Sequence, residues 1–154
     1  MPTDKIEIKQ ALWAKCLEFA EEMLSNATQA VDRAEEAAKG EDKSTAGDKH
    51  DVTREMMQAE KVKAQIQQDK ALKLVRAIKT VKPDVARSKV QTGSLVYTNH
   101  GSFYISISAG KMEHQGQKYV AMALAAPLAK HLEGSQKGDS VRFNGKAFSI
   151  LEVY

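Results

Sequence analysis

Apolar residues recur at steps of three or four through the first half of the chain, and then the period changes. Leu12, Cys16, Phe19, Met23, Ala27, Ala30, Ala34 and Ala37 keep helical spacing, and residues 4–39 contain no Gly or Pro to interrupt them. This predicts one long helix, with Asp4 able to cap its start and Glu7 three residues on. The stripe narrows from Leu, Phe and Met to Ala, so the far end buries less apolar area than the base. Gly40 is expected to close the helix, and residues 40–47 read as a polar loop. A second helical pattern runs from about Asp48 to Val81. Val52, Met56, Ala59, Val62 and Ile66 form one stripe; Ala71, Leu74, Ile78 and Val81 form another, out of phase with the first. Pro83 stops it.

Two helices of similar length on a short loop are expected to pair antiparallel. At 1.5 Å per residue, ~33 residues make a rod of roughly 50 Å. After residue 88 the pattern turns to strands: Leu95–Tyr97, Phe103–Ile107, Tyr119–Met122, Val141–Phe143 and Phe148–Val153, bounded by Gly and Asn turns. Asn144-Gly145 between two of them predicts a type I′ hairpin. Pro127–Leu132 reads as a short helix with Pro near its start and Gly134 past its end. The expected fold is therefore α+β. An N-terminal helical hairpin over 1–84 precedes a small antiparallel sheet with one short helix over 88–154.

Charge refines this division without setting it. Residues 1–86 carry 15 Lys+Arg and 16 Asp+Glu, and residues 87–154 carry 8 and 4. The stretch 32–55 holds eight acids against five bases, so the turn end of the hairpin is acidic and the sheet region mildly basic. Cys16 is the single cysteine, which excludes an intrachain disulfide and a cysteine metal cluster. On an apolar stripe it reads as a buried, inert thiol. No apolar run marks a signal peptide or a membrane span, so a cytoplasmic location is expected.

The candidate chemistry sits at the turn. Asp48 and Asp51 are three apart at a helix start, which brings their carboxylates to one face. Such a pair suits a hard, oxygen-seeking cation such as Mg²⁺, although two carboxylates alone hold it weakly. The same spacing serves a helix cap, with Asp48 as N-cap and Asp51 at N3 of a capping box; Thr45 with Asp48 offers a competing box. His50 between them reads as a solvated loop residue. Lys49 and Arg54 read as flanking charge with a possible reach to phosphates.

The order of motifs resembles the Gre family of bacterial transcript cleavage factors. Ala126-Pro127-Leu-Ala-Lys-His-Leu-Glu-Gly134 is similar to the family segment S-P-I-A-x-x-L-x-G. It is followed by Lys137-Gly-Asp-Ser-Val141, Asn144-Gly145 and Ile150-Leu-Glu-Val-Tyr154. Gly47-Asp48-Lys49-His50-Asp51-Val-Thr-Arg-Glu55 is similar to the family's tip, G-D-L-K-E-N-A-E. The resemblance implies a C-terminal domain of the FK506-binding-protein type that docks on bacterial RNA polymerase through Ala126, Pro127 and Leu128. It also implies a hairpin that enters the secondary channel and lends Asp48 and Asp51 to a Mg²⁺ shared with the polymerase. Backtracked RNA would be cleaved there, with indirect contact to nascent RNA. The factor would be no enzyme by itself, and neither a membrane nor a specific DNA sequence is expected as a partner.

Two other readings stand beside this one. Val52 and Met56 occupy positions where the family has Asn and an aromatic residue, which favours a regulator that fills the channel without promoting cleavage. A coiled-coil interaction module with no polymerase role is the third. Prolyl isomerase chemistry is not expected: residues beyond 87 contain no Trp, and only Phe103, Phe143 and Phe148 beside four Tyr.

Overall fold

The computed structural model describes residues 2–42 and 47–154, and the side chains of 4–39 and 53–154. The fold is α+β. Two long helices, α1 (Pro2–Asp42) and α2 (Gly47–Thr80), precede strands β1 (Leu95–Thr98), β2 (Gly101–Ile105), β3 (Gly110–His114) and β4 (Gln117–Met122). Helix α3 (Pro127–Leu132) and strands β5 (Ser140–Phe143) and β6 (Lys146–Val153) complete the chain. Two compact units emerge: residues 20–75, and residues 1–19 together with 76–154.

In the second of these units the six strands form one sheet in the order β3-β4-β2-β1-β6-β5. The expected all-antiparallel sheet is corrected at one place, since β2 and β4 run parallel. The chain turns after β2, lays β3 at the sheet edge, and returns as β4 between the two. A strand that reverses twice must parallel the one it left. The edge strand β3 escaped the sequence pattern because Met112 is its one large apolar residue. Of the three two-residue hairpins, two have both loop residues at positive φ: Gln115 at 50° with Gly116 at 78°, and Asn144 at 50° with Gly145 at 78°. This is the type I′ geometry expected for Asn144-Gly145.

Each sheet face has its own cover. Val90, Val96, Phe103, Ile105, Phe148 and Ile150 meet Ala129 and Leu132 of α3 in one buried cluster. On the opposite face lie Leu95, Tyr104 and Ser106, and the base of α1 packs there. Cys16 Sγ lies 3.6 Å from Ser106 Oγ, and burial pushes its thiol above the ordinary value. The expectation of an inert buried cysteine agrees with this, because the reactive thiolate is disfavoured. Trp13 Nε1 donates to the carbonyl of Ile78 at 2.8 Å, tying α1 to the end of α2.

Lys9 is fully buried, and its Nζ donates to the Val85 carbonyl at 2.6 Å. Burial and the nearby Arg87 cation lower its pKa to about 8, while Asp84 opposes them. Between pH 8 and 10.5 the unfolded chain therefore holds a proton that the native chain has lost, so stability rises with pH. We expect a gain of about 1–2 kcal/mol between pH 7.5 and 9.5 in denaturant titrations. Lys9→Met should abolish that gain. The window stops short of the tyrosines, but the raised Cys16 thiol acts within it with the opposite sign, so the Lys9 gain is read as the difference between wild type and Lys9→Met.

In the unit of residues 20–75 the helices run antiparallel. Gln68 Nε2 donates to Thr28 Oγ1 at 3.1 Å, and Lys61 pairs with Glu35 at 3.6 Å. Gly40 does not close α1, which continues to Asp42, and Asp4 lies inside the first turn because the helix begins at Pro2. The seam also departs from the expected stripes. Ala27, Val31, Ala64, Ala71 and Val75 are buried there, whereas Met56, Val62 and Ile66 are exposed. A helix has one phase, and here the buried residues Ala64, Ala71 and Val75 mark it. The stripe above the phase slip is thereby rolled outward.

Candidate functional site

The acids of the turn belong to helix α2. The described part of that helix starts at Gly47, so Asp48 and Asp51 are its second and fifth residues. One helical turn separates them, which keeps the pair on a common face. Their side chains, like those of Lys49, His50 and Val52, lie outside the described residues, as does Thr45. Hard oxygen donors three residues apart match the chemistry of Mg²⁺. Among the described residues no group of three or more His, Cys, Asp or Glu stands close enough to hold a metal.

The second candidate group is built at the start of α3. Ala126 is the N-cap, with φ −62° and ψ 145°, and makes no side-chain cap bond. An extended residue before proline is what the pyrrolidine ring demands. Pro127 occupies the first helical position, where its missing N–H costs nothing, and its ring is exposed. Ala126 and Leu128 are half-buried and pack on the core cluster, so part of this group serves the fold. Lys130 N donates to Ala126 O at 2.9 Å, and His131 Nδ1 lies 2.9 Å from Pro127 O. The His131 ring meets Phe143 edge-on at 4.9 Å. Ala126, Pro127 and Leu128 are thus presented together at one rigid corner, with Gly134 at φ 82° releasing the chain beyond α3.

Two features of this sheet were not legible beforehand. A groove of about 460 Å³ runs beside β3 and β4, with Phe103 and Val120 at its floor and Lys111, Glu113 and Lys118 among its lining. It depends on β3, the strand that the hydrophobic pattern did not reveal. On the other face, Lys5 Nζ lies 4.4 Å from the Tyr97 ring centroid and 5.6 Å from that of Tyr154. Tyr119 Oη stands 3.5 Å from Tyr97 Oη; burial, with Tyr97 beside it, raises the Tyr119 pKa to about 12. A lysine in a tyrosine cage fastens the first turns of α1 to the sheet. The nearest sequence signal was the placement of Tyr97 and Tyr119 on alternating strands.

No family model and no curated protein matches the chain. Among solved structures, the chain is similar to one described as the transcription factor Gfh1. The identity is 17%, the TM-score 0.34, and the match covers 97% of this chain and 93% of that one. Among the described residues, no helix is long and apolar enough to cross a membrane.

Proposed function

We propose that this protein is a transcription factor of Gre type that acts on bacterial RNA polymerase. The sheet domain docks through the corner of Ala126, Pro127 and Leu128. The paired helices enter the secondary channel, and Asp48 and Asp51 complete a metal site in the catalytic centre. The observation that carries this reading is a joint one. A paired helical arm whose connection is followed at once by two acids shares a chain with an α+β domain whose α3 opens on Ala126-Pro127. Two carboxylates cannot fill the shell of Mg²⁺ alone, so the polymerase's own carboxylates and the RNA would supply the rest. When bound there, the cation would favour hydroxide formation and stabilise the oxygens of an in-line displacement. The protein's part is to place two negative charges, and one of them can orient the attacking water. The chemistry stays with the polymerase, so this is an accessory factor.

A second reading is a regulator that fills the channel without promoting cleavage. Val52 and the 65% exposed Met56 favour it, because neither offers a polar group beside the acids. Both readings require binding to purified bacterial RNA polymerase, measured by co-sedimentation. Stoichiometric recovery with the polymerase is expected. Failure to co-sediment at low salt would leave neither reading standing and would favour a coiled-coil module.

A further inference from the structure

The groove beside β3 and β4 belongs to neither candidate group described above. Its floor follows from the strand registers. Phe103 of β2 pairs with Val120 of β4, and Val120 pairs with Lys111 of β3. The three side chains therefore form one row on the sheet face that carries α3. Nearer the β3–β4 turn, Glu113 pairs with Lys118 in the next row on the same face. Continued back along both strands, the β2–β4 register sets Gly101 in that second row, where it brings no side chain. A Cβ on Gly101 would lie 3.5 Å from Cζ of Phe103, so the glycine leaves space beside the ring edge.

The walls are fixed by the fold itself. Thr98 Oγ1 donates to the Gly101 carbonyl at 2.8 Å and accepts from His100 N at 3.0 Å. Asn99 Nδ2 donates to the Ala147 carbonyl at 3.2 Å, and Ser149 N donates to Asn99 Oδ1 at 2.8 Å. These bonds hold the β1–β2 turn, and His100 with it, against β6. The other wall is the β3–β4 hairpin with its tight turn at Gln115-Gly116. A groove of about 460 Å³ with such walls falls within the range of preformed small-molecule sites.

Charge selects the ligand. Lys111 and Lys118 line the groove against one acid, Glu113. Glu113 stands opposite Lys118, while Lys111 stands opposite Val120, which offers it no polar group. Among the described residues, neither lysine side chain has an ion pair or a hydrogen bond. The two lysines are diagonal neighbours across the strand pair, roughly 7–8 Å apart, so both can reach one anionic group. Phe103 and Val120 lie side by side on neighbouring strands, and such a floor accepts a flat apolar body with an edge-on ring contact.

We propose that this groove binds a small aromatic carboxylate. The ring lies over Phe103 and Val120, and the carboxylate lies between Lys111 and Lys118. Glu113 opposes the same anion and keeps the affinity modest. The site stands whether or not the sheet domain docks on a polymerase.

Naphthalene-2-carboxylate, with naphthalene-2-carboxamide as its neutral match, probes the groove in amide NMR titrations of the full chain at low salt. The carboxylate is expected to shift the signals of Gly101, Phe103, Lys111 and Val120, and to bind at least ~5-fold more tightly than the carboxamide. Lys111→Gln and Lys118→Gln should each weaken carboxylate binding by ~3–10-fold. Both lysines are exposed, so thermal unfolding of these variants should match wild type. Glu113→Gln should strengthen carboxylate binding and leave carboxamide binding unchanged. Equal binding of carboxylate and carboxamide overturns the proposal, as does carboxylate binding indifferent to both lysine substitutions. Absence of binding, or shifts confined to residues outside the groove, overturns it as well.

Discussion

The Asp48→Asn/Asp51→Asn protein is expected to bind polymerase like wild type and to shorten backtracked RNA at least ~100-fold more slowly, the scale of losing a positioned acid–base group. Asparagine keeps the size and the capping ability of aspartate, since the two are nearly equal at helix N-termini. The helix start is therefore preserved while negative charge and hard metal-donor strength are lost. That separates the catalytic role from the capping role, which a substitution to alanine would confuse. Thermal unfolding of wild type and variant should coincide. The readout is RNA length in stalled, backtracked elongation complexes. Equal shortening by both proteins would sink the metal-sharing role and leave the acids as helix-terminal charges. Should neither protein shorten RNA while both displace a cleavage-active factor, the non-cleaving regulator is the correct reading.

Leu132→Ala is expected to cost about 3 kcal/mol, the centre of the range for removing a large apolar side chain from a tight core. Leu132 is fully buried against Val90, Phe103, Ile105 and Ile150. It is the largest anchor of a helix only six residues long, and such a helix has no stability of its own. The unfolding midpoint of the sheet domain should fall by roughly 12–24 °C. Lys130→Ala, on the exposed side of α3, should change stability by no more than about 0.5 kcal/mol. Because α3 presents Ala126, Pro127 and Leu128, polymerase affinity should drop for Leu132→Ala at temperatures where the paired helices remain folded. Undiminished affinity in a destabilised Leu132→Ala protein would move the docking surface away from the start of α3.

The sequence displayed those features that depend on local chemistry. The I′ turn at Asn144-Gly145, the Pro127 start of α3 and the Gly134 exit each follow from the φ angles those residues permit. The helical pattern likewise gave α1 and α2 to within a few residues at their ends. What it could not display was phase. Two apolar stripes on α2 compete for one seam, and periodicity cannot rank them. In the unit of residues 20–75 the seam goes to Ala64, Ala71 and Val75, which are buried. The stripe of Val62 and Ile66, expected inside, is outside as a result. Strand β3 was hidden for a related reason. It lies at the sheet edge with one large apolar residue, so alternation carried no signal. With it went the parallel β2–β4 pair and the groove beside Lys111 and Lys118. The cage around Lys5 joins residues as distant as Tyr97 and Tyr154, and no spacing along the chain encodes such a meeting. For the candidate site, the spacing of Asp48 and Asp51 was legible. The choice between cap and metal ligand was not, because both roles ask for acids three apart at a helix start.

The central claim is that Asp48 and Asp51 are delivered to the catalytic centre of the polymerase. A photo-reactive amino acid in place of Lys49, between the two acids, tests it most directly. With purified bacterial RNA polymerase in a backtracked complex, the account predicts cross-links to the peptide that carries the polymerase's catalytic carboxylates, lost when the secondary channel is blocked. Cross-links confined to the outer surface of the polymerase, or unchanged by blocking the channel, would contradict it.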